Sequence, residues 1–148
     1  MMSRSLTVAI VLPAALWVSM QLDNFRRVSA SPSNWLEVTS IHVDDATHGE
    51  THRMQVVRTI HQPFYGEWIA TIRNVSDGTL ANTCLAEGKA DYSPAANELT
   101  MDWWTFPTKC RPPPGVYRLD MHWRIFPPGY PQKDVRAFSN VFSVEERK

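Results

Sequence analysis

The stretch Val116–Phe126, VYRLDMHWRIF, constrains this chain more than any other. Tyr117, Leu119, Met121, Trp123 and Ile125 take every second place, and Arg118, Asp120, His122 and Arg124 fill the gaps. A strand turns successive side chains to opposite faces, so this period gives one apolar and one charged face. On a helix the same residues would scatter round the axis. A half-buried strand needs partners, and the rest of the chain supplies them. Trp68, Ala70 and Ile72 alternate with Glu67, Thr71 and Arg73. Met54, Val56 and Ile60 alternate with Gln55 and Thr59, and Arg58 falls on the apolar side. Leu99, Met101 and Trp103 share a parity opposite Thr100, Asp102 and Trp104. The turn signal Asn74–Gly78 leads into Thr79–Glu87 as the returning arm of a hairpin. Phe138, Phe142 and Val144 point to a last strand. Trp35–Val43 reads as a first strand whose inward face the alternation leaves open.

Eleven prolines punctuate these segments, notably at Pro63, Pro94, Pro107, Pro112–Pro114 and Pro127–Pro131. Proline inside a helix removes a hydrogen bond and clashes with the preceding turn, so long helices are excluded from the body. About seven short strands with such turns imply an all-β, antiparallel sandwich or small barrel. At 148 residues the chain makes one ordinary domain. Its 15 Lys and Arg balance 15 Asp and Glu, which argues against nucleic acid as a partner, because phosphate affinity needs a clustered cationic surface.

The first thirty residues stand apart. Leu6–Leu22 carries no charge, and Asp23, Arg26 and Arg27 end it. The run exceeds the usual length of a signal-peptide core and sits at the short edge of a membrane span. It is expected to be an uncleaved anchor. A cleaved signal with its exit site at Val28-Ser29-Ala30 is the alternative, and a buried core helix the third reading. The expected organisation is an anchor or signal segment with linker over 1–30 and a β-sandwich over 31–148. The expected location is the cytoplasmic membrane, single-pass, with the C-terminal domain on the periplasmic side. Cys84 and Cys110 suit one disulfide in an oxidising compartment, worth about 3 kcal/mol by loop closure.

Pro114-Gly115-Val116-Tyr117-Arg118-Leu119, followed by Trp123, resembles the penultimate-strand entry of immunoglobulin-like and fibronectin-type sandwiches. In those families a tyrosine near the start of that strand anchors a corner. Ser139-Asn140-Val141-Phe142-Ser143-Val144 is similar to the last strand of extracytoplasmic modules of this kind. The positions of Cys84 and Cys110 depart from the inter-sheet disulfide of antibody domains and imply a peripheral bridge. The Trp103-Trp104 pair and the late SNxF strand also resemble small membrane-anchored proteins of bacteria and their phages.

Chemistry finds little footing. There is no GxSxG elbow, and the six glycines are spread singly rather than forming a phosphate loop. No catalytic residue, cofactor or metal is assigned. His42, Asp44, Asp45, His48, Glu50 and His52 could offer metal ligands, but without a recognised spacing they read as a solvated loop. The Arg118, Asp120, His122 and Arg124 stripe reads as a solvated outer face. Strict alternation sends Trp103 inward and Trp104 outward beside Phe106. Phe64, Tyr65 and Tyr130 fall at expected loop tips. These five aromatics, Trp104, Phe106, Tyr130, Phe64 and Tyr65, form the expected contact surface for a protein partner in the cell envelope. Carbohydrate or peptidoglycan binding by the same aromatics is the alternative, and a periplasmic metal-binding role a further one.

Overall fold

A computed structural model describes residues 4–50, 53–76, 82–94, 99–105 and 110–147, with the side chains of 4–12, 82, 83 and 99–105 left undescribed. The chain begins with helix α1 (Arg4–Ser29), which continues past the apolar run to Ser29. Its last turn carries Arg26 and Arg27, whose charge matches the negative end of the helix dipole. The helix stops because Ser31 precedes Pro32. The proline ring disfavours helical backbone in the residue before it, and Ser31 is extended at φ −67°, ψ 139°. Among the described residues no helix is long and apolar enough to cross a membrane. A short helical turn, Pro32–Asn34, leads into the body.

The body is all-β, in two sheets. The strands are β1 (Leu36–Val43), β2 (Ala46–Thr47), β3 (Arg53–Ile60), β4 (Phe64–Asn74), β5 (Asn82–Tyr92), β6 (Leu99–Thr105), β7 (Gly115–Phe126) and β8 (Lys133–Glu145). One sheet runs β1-β3-β6, the other β2-β8-β7-β4-β5. All pairs are antiparallel except the two-residue β2, which runs parallel to β8. The body is all-β as expected, with eight strands where about seven were expected, β2 being too short to carry a period.

β7 keeps its alternation throughout, with Tyr117, Leu119, Met121, Trp123 and Ile125 all buried. They meet Ala70 and Ile72 of β4, Phe142 and Val144 of β8, and Ile41, Val43, Met54 and Val56 of the other sheet in one core cluster. Two bulges alter the expected parity. Between Val38 and Ser40 the register of β1 slips, so Leu36, Ile41 and Val43 all face inward although their numbering changes parity. A second slip opposite Arg118 and Asp120 gives β8 an extra residue. Phe138 therefore does not share the face of Phe142 and Val144: it is 50% exposed while they are buried.

At the second bulge, side chains take over the ladder. The Leu119 N–H donates to Ser139 Oγ at 2.9 Å. The Val43 N–H donates to Asn140 Oδ1 at 2.8 Å, and Asn140 Nδ2 donates to Val43 O at 3.0 Å. Asn140 thus copies a pair of strand hydrogen bonds and ties β1 of one sheet to β8 of the other. Cys84 on β5 and Cys110 form a disulfide, with Cα atoms 5.4 Å apart and 26 residues between them in sequence.

Candidate binding face

The five-stranded sheet turns one face to the core and the other outward. Register alone builds the outward face: Tyr65, Glu67, Ile69, Thr71 and Arg73 of β4 lie beside Phe126, Arg124, His122, Asp120 and Arg118 of β7. Asp134 and Phe138 of β8 flank one side, and Leu85, Glu87, Lys89 and Asp91 of β5 flank the other. The charges interleave. Arg124 Nη1 lies 3.6 Å from Glu67, and His122 Nε2 lies 2.8 Å from Asp134 Oδ1. Arg73 Nε donates to Asp120 Oδ2 at 3.2 Å, the least exposed of these pairs. The Arg118 guanidinium stacks 4.5 Å over the Phe138 ring, which accounts for an exposed phenylalanine. The more exposed of these pairs are worth little to stability, because water screens them. Their use is to give the face a pattern of charge.

A groove of about 410 Å³ crosses this face, lined by Glu67, Trp68, Ile69, Glu87, Gly88, Lys89, His122 and Arg124. Ile69 gives the groove an apolar floor, and Glu67, Arg124 and His122 place charge around it. A second groove of about 430 Å³ lies at the end nearest α1, lined by Pro63, Phe64, Tyr65, Asp91, Tyr92, Ser93, Phe126 and Pro128.

Of the residues singled out from sequence, Phe64 and Tyr65 line the second groove together. Tyr65 is 37% exposed on the outer face, tilted against Phe126 at 5.8 Å between ring centroids. Tyr130 sits in the β7–β8 turn, edge-on to Trp35 at 4.8 Å. Phe64 is not at an exposed loop tip: it opens β4, is 3% exposed and stacks on Tyr92 at 4.8 Å. Trp104 pairs through its backbone with Met54, and the register of β3 with β6 slips between Met54 and Val56; the Trp104 side chain lies outside what the structure describes. Phe106 lies outside the described residues.

The His42–His52 segment serves local structure. The Ser143 N–H and hydroxyl both donate to Asp45 Oδ1, at 2.6 and 3.0 Å. These bonds hold the Asp45 carboxyl below its ordinary range. His48 Nδ1 donates to Pro112 O at 3.0 Å, and Glu50 accepts from the Thr47 N–H at 3.0 Å. His52 is outside the described residues, and among those described no group of three or more His, Cys, Asp or Glu could hold a metal. The groove residues Ile69, Glu87 and Lys89 were missed from sequence. Their strands were visible, but only the β4–β5 and β4–β7 registers bring them together.

The chain matches no family model and no curated protein.

Proposed function

We propose that this chain is a membrane-tethered, extracytoplasmic binding module, built on an immunoglobulin-like sandwich and acting through protein–protein contacts rather than catalysis. The observation that carries the tether is α1. Leu16, Trp17, Val18, Met20 and Leu22 are all exposed, where a helix of a soluble domain would bury its apolar side. The uncharged run Leu6–Leu22 extends about 25 Å as helix. A bilayer is the occupant that fits an apolar surface on this scale. The disulfide suits an oxidising compartment on the far side.

The immunoglobulin-like reading draws on two features. The strand orders β1-β3-β6 and β2-β8-β7-β4-β5 let the first strand leave one sheet and continue as β2 beside the last strand in the other. The Tyr117 hydroxyl donates to Pro113 O four residues upstream, at 2.7 Å, as the corner tyrosine of such sandwiches does. The contact surface in this reading is the groove across the five-stranded sheet.

Two measurements test it. Native protein should stay in the membrane pellet through an alkaline carbonate wash and leave it only with detergent; release by carbonate would refute the tether. A photo-crosslinking residue at Lys89 should capture a protein partner in intact cells, while one at Glu37 on the other sheet should not. Equal adducts at both sites would refute the assigned face. The Tyr65 groove, with its exposed ring beside Asp91, favours a second reading, carbohydrate binding. Pelleting with peptidoglycan that is lost in Tyr65→Ala would decide for that reading.

A further inference from the structure

Arg58 is an anomaly of the core. It sits on the buried face of β3 between Val56 and Ile60 and is 5% exposed. Burying an unpaired guanidinium is costly, and such groups are ordinarily matched by a carboxylate. Among the described residues Arg58 has no such partner. Its Nε makes no hydrogen bond, and its contact is with the Tyr92 ring, 4.8 Å away. Trp123, 1% exposed on the facing sheet, repeats the pattern: its indole Nε1–H has no acceptor. Both residues line one cavity of about 180 Å³ between the sheets, whose other walls include Met54, Trp68, Tyr92 and Met121.

We infer that this cavity is a binding site for a small monovalent carboxylate with an apolar ring or short chain. The missing chemistry dictates the ligand. Two orphan N–H donors call for an acceptor, and the uncompensated positive charge calls for a single negative one. A guanidinium fork matches a planar carboxylate, and the apolar walls favour a hydrocarbon remainder over a hydrated inorganic ion. The size agrees, since a dry cavity of about 150 Å³ admits benzene. The site lies inside the sandwich and is independent of the outer groove.

The test uses the full-length, oxidised chain in detergent micelles, with benzoate as probe and benzamide as its neutral twin. The readout is the Trp123 indole N–H resonance, assigned by its loss in Trp123→Phe. Benzoate should shift this resonance saturably and bind at least tenfold more tightly than benzamide. Arg58→Met should remove that preference, and Arg58→Lys, which keeps the charge without the fork, should retain part of it. Equal affinities for benzoate and benzamide, or no shift with either at tens of millimolar, would overturn the inference. If Arg58→Met does not fold, the benzoate-to-benzamide ratio in the wild type and in Arg58→Lys decides alone.

Discussion

Asn140 carries the junction between the two sheets, and its removal has a calculable effect. In Asn140→Ala, the N–H and C=O of Val43 lose the partners they hold at 2.8 and 3.0 Å. Val43 itself is 1% exposed, so its backbone has little recourse to solvent. Each protein hydrogen bond nets about 0.5–1.5 kcal/mol, and orphaning a buried group costs about 1–3 kcal/mol. Asn140 lies at the surface, so water can reach one of the two groups, which places the loss at about 2–3 kcal/mol. For a domain of this size each kcal/mol lowers the melting temperature by about 4 °C, giving a fall of about 8–12 °C. Thermal unfolding followed by near-ultraviolet circular dichroism measures it. Asn140→Asp separates the two bonds: it keeps an acceptor for Val43 N–H but sets a carboxylate against Val43 O. It should be destabilised at neutral pH and recover as acid protonates the carboxyl into a donor. A loss below about 0.5 kcal/mol in the alanine variant would mean that water replaces both bonds and that Asn140 holds nothing together.

Other perturbations test other joints. An added methyl in Gly88→Ala would lie 2.4 Å from Trp68 Cζ2, so overpacking of about 1–3 kcal/mol should outweigh the roughly 0.4–1 kcal/mol gained by stiffening the unfolded chain. Chemical denaturation should show the net loss, and it should vanish in a Trp68→Leu background; a more stable Gly88→Ala would refute the contact. The closed loop between Cys84 and Cys110, with a separation of 26, makes the disulfide worth about 3.5 kcal/mol. The double Cys→Ala variant should therefore unfold at markedly lower urea, and a loss under about 1 kcal/mol would contradict this. The Asp45 pKa is depressed in the folded state, so its stabilisation is present above the unfolded value and lost as pH falls through the folded one. Asp45→Asn should thus lose less melting temperature than wild type between pH 6 and pH 3, and identical slopes would refute the assignment. Lys133 donates through Nζ to the Arg27 and Val28 carbonyls, so Lys133→Met should speed amide exchange over the last turn of α1 while sparing β7; unchanged exchange would count against the clamp.

The legible part of the fold was the part with unbroken period. β7 could be read to the residue because ten positions alternate without a bulge, and β4 nearly so. β1 and β8 could not, because a bulge inserts one residue and reverses the parity of everything beyond it. Nothing in Leu36–Val43 marks its slip. In β8 the signal was present but read only as a resemblance, since Ser139-Asn140 are the polar side chains that replace missing ladder bonds. Phe64 departs from its expected place for another reason. Phe64 stands beside a proline, as loop residues do, yet it begins a strand and stacks on Tyr92 from the far end of β5. Contacts between residues so distant in sequence depend on register, which single-strand periodicity does not contain. Arg58 was visible as a cation on an apolar face, and only the facing Trp123 and Tyr92 turn that irregularity into a site.

The joint between α1 and the body bears on how any binding face is presented. Arg27 Nη1 donates to Gly129 O at 3.1 Å, and Lys133, 9% exposed, reaches two carbonyls of the last helical turn. The edge-on Trp35–Tyr130 pair closes the same corner. Helical backbone from Arg4 to Ser29 followed by a clamp leaves no flexible leash between helix and sheet. A leash lets a module search a volume, with an effective concentration that falls as the leash lengthens. A clamped helix instead holds the body in one attitude, about 10 Å of helix beyond the apolar run, by the rise from Asp23 to Ser29. In the proposed reading Tyr65 and Tyr130, at the helix end of the body, are the amphipathic rings that would suit a lipid headgroup layer. The charged groove across β5, β4 and β7 lies on the outer face of the five-stranded sheet. Under the proposed tether, a partner that meets this groove would have to be held near the same membrane.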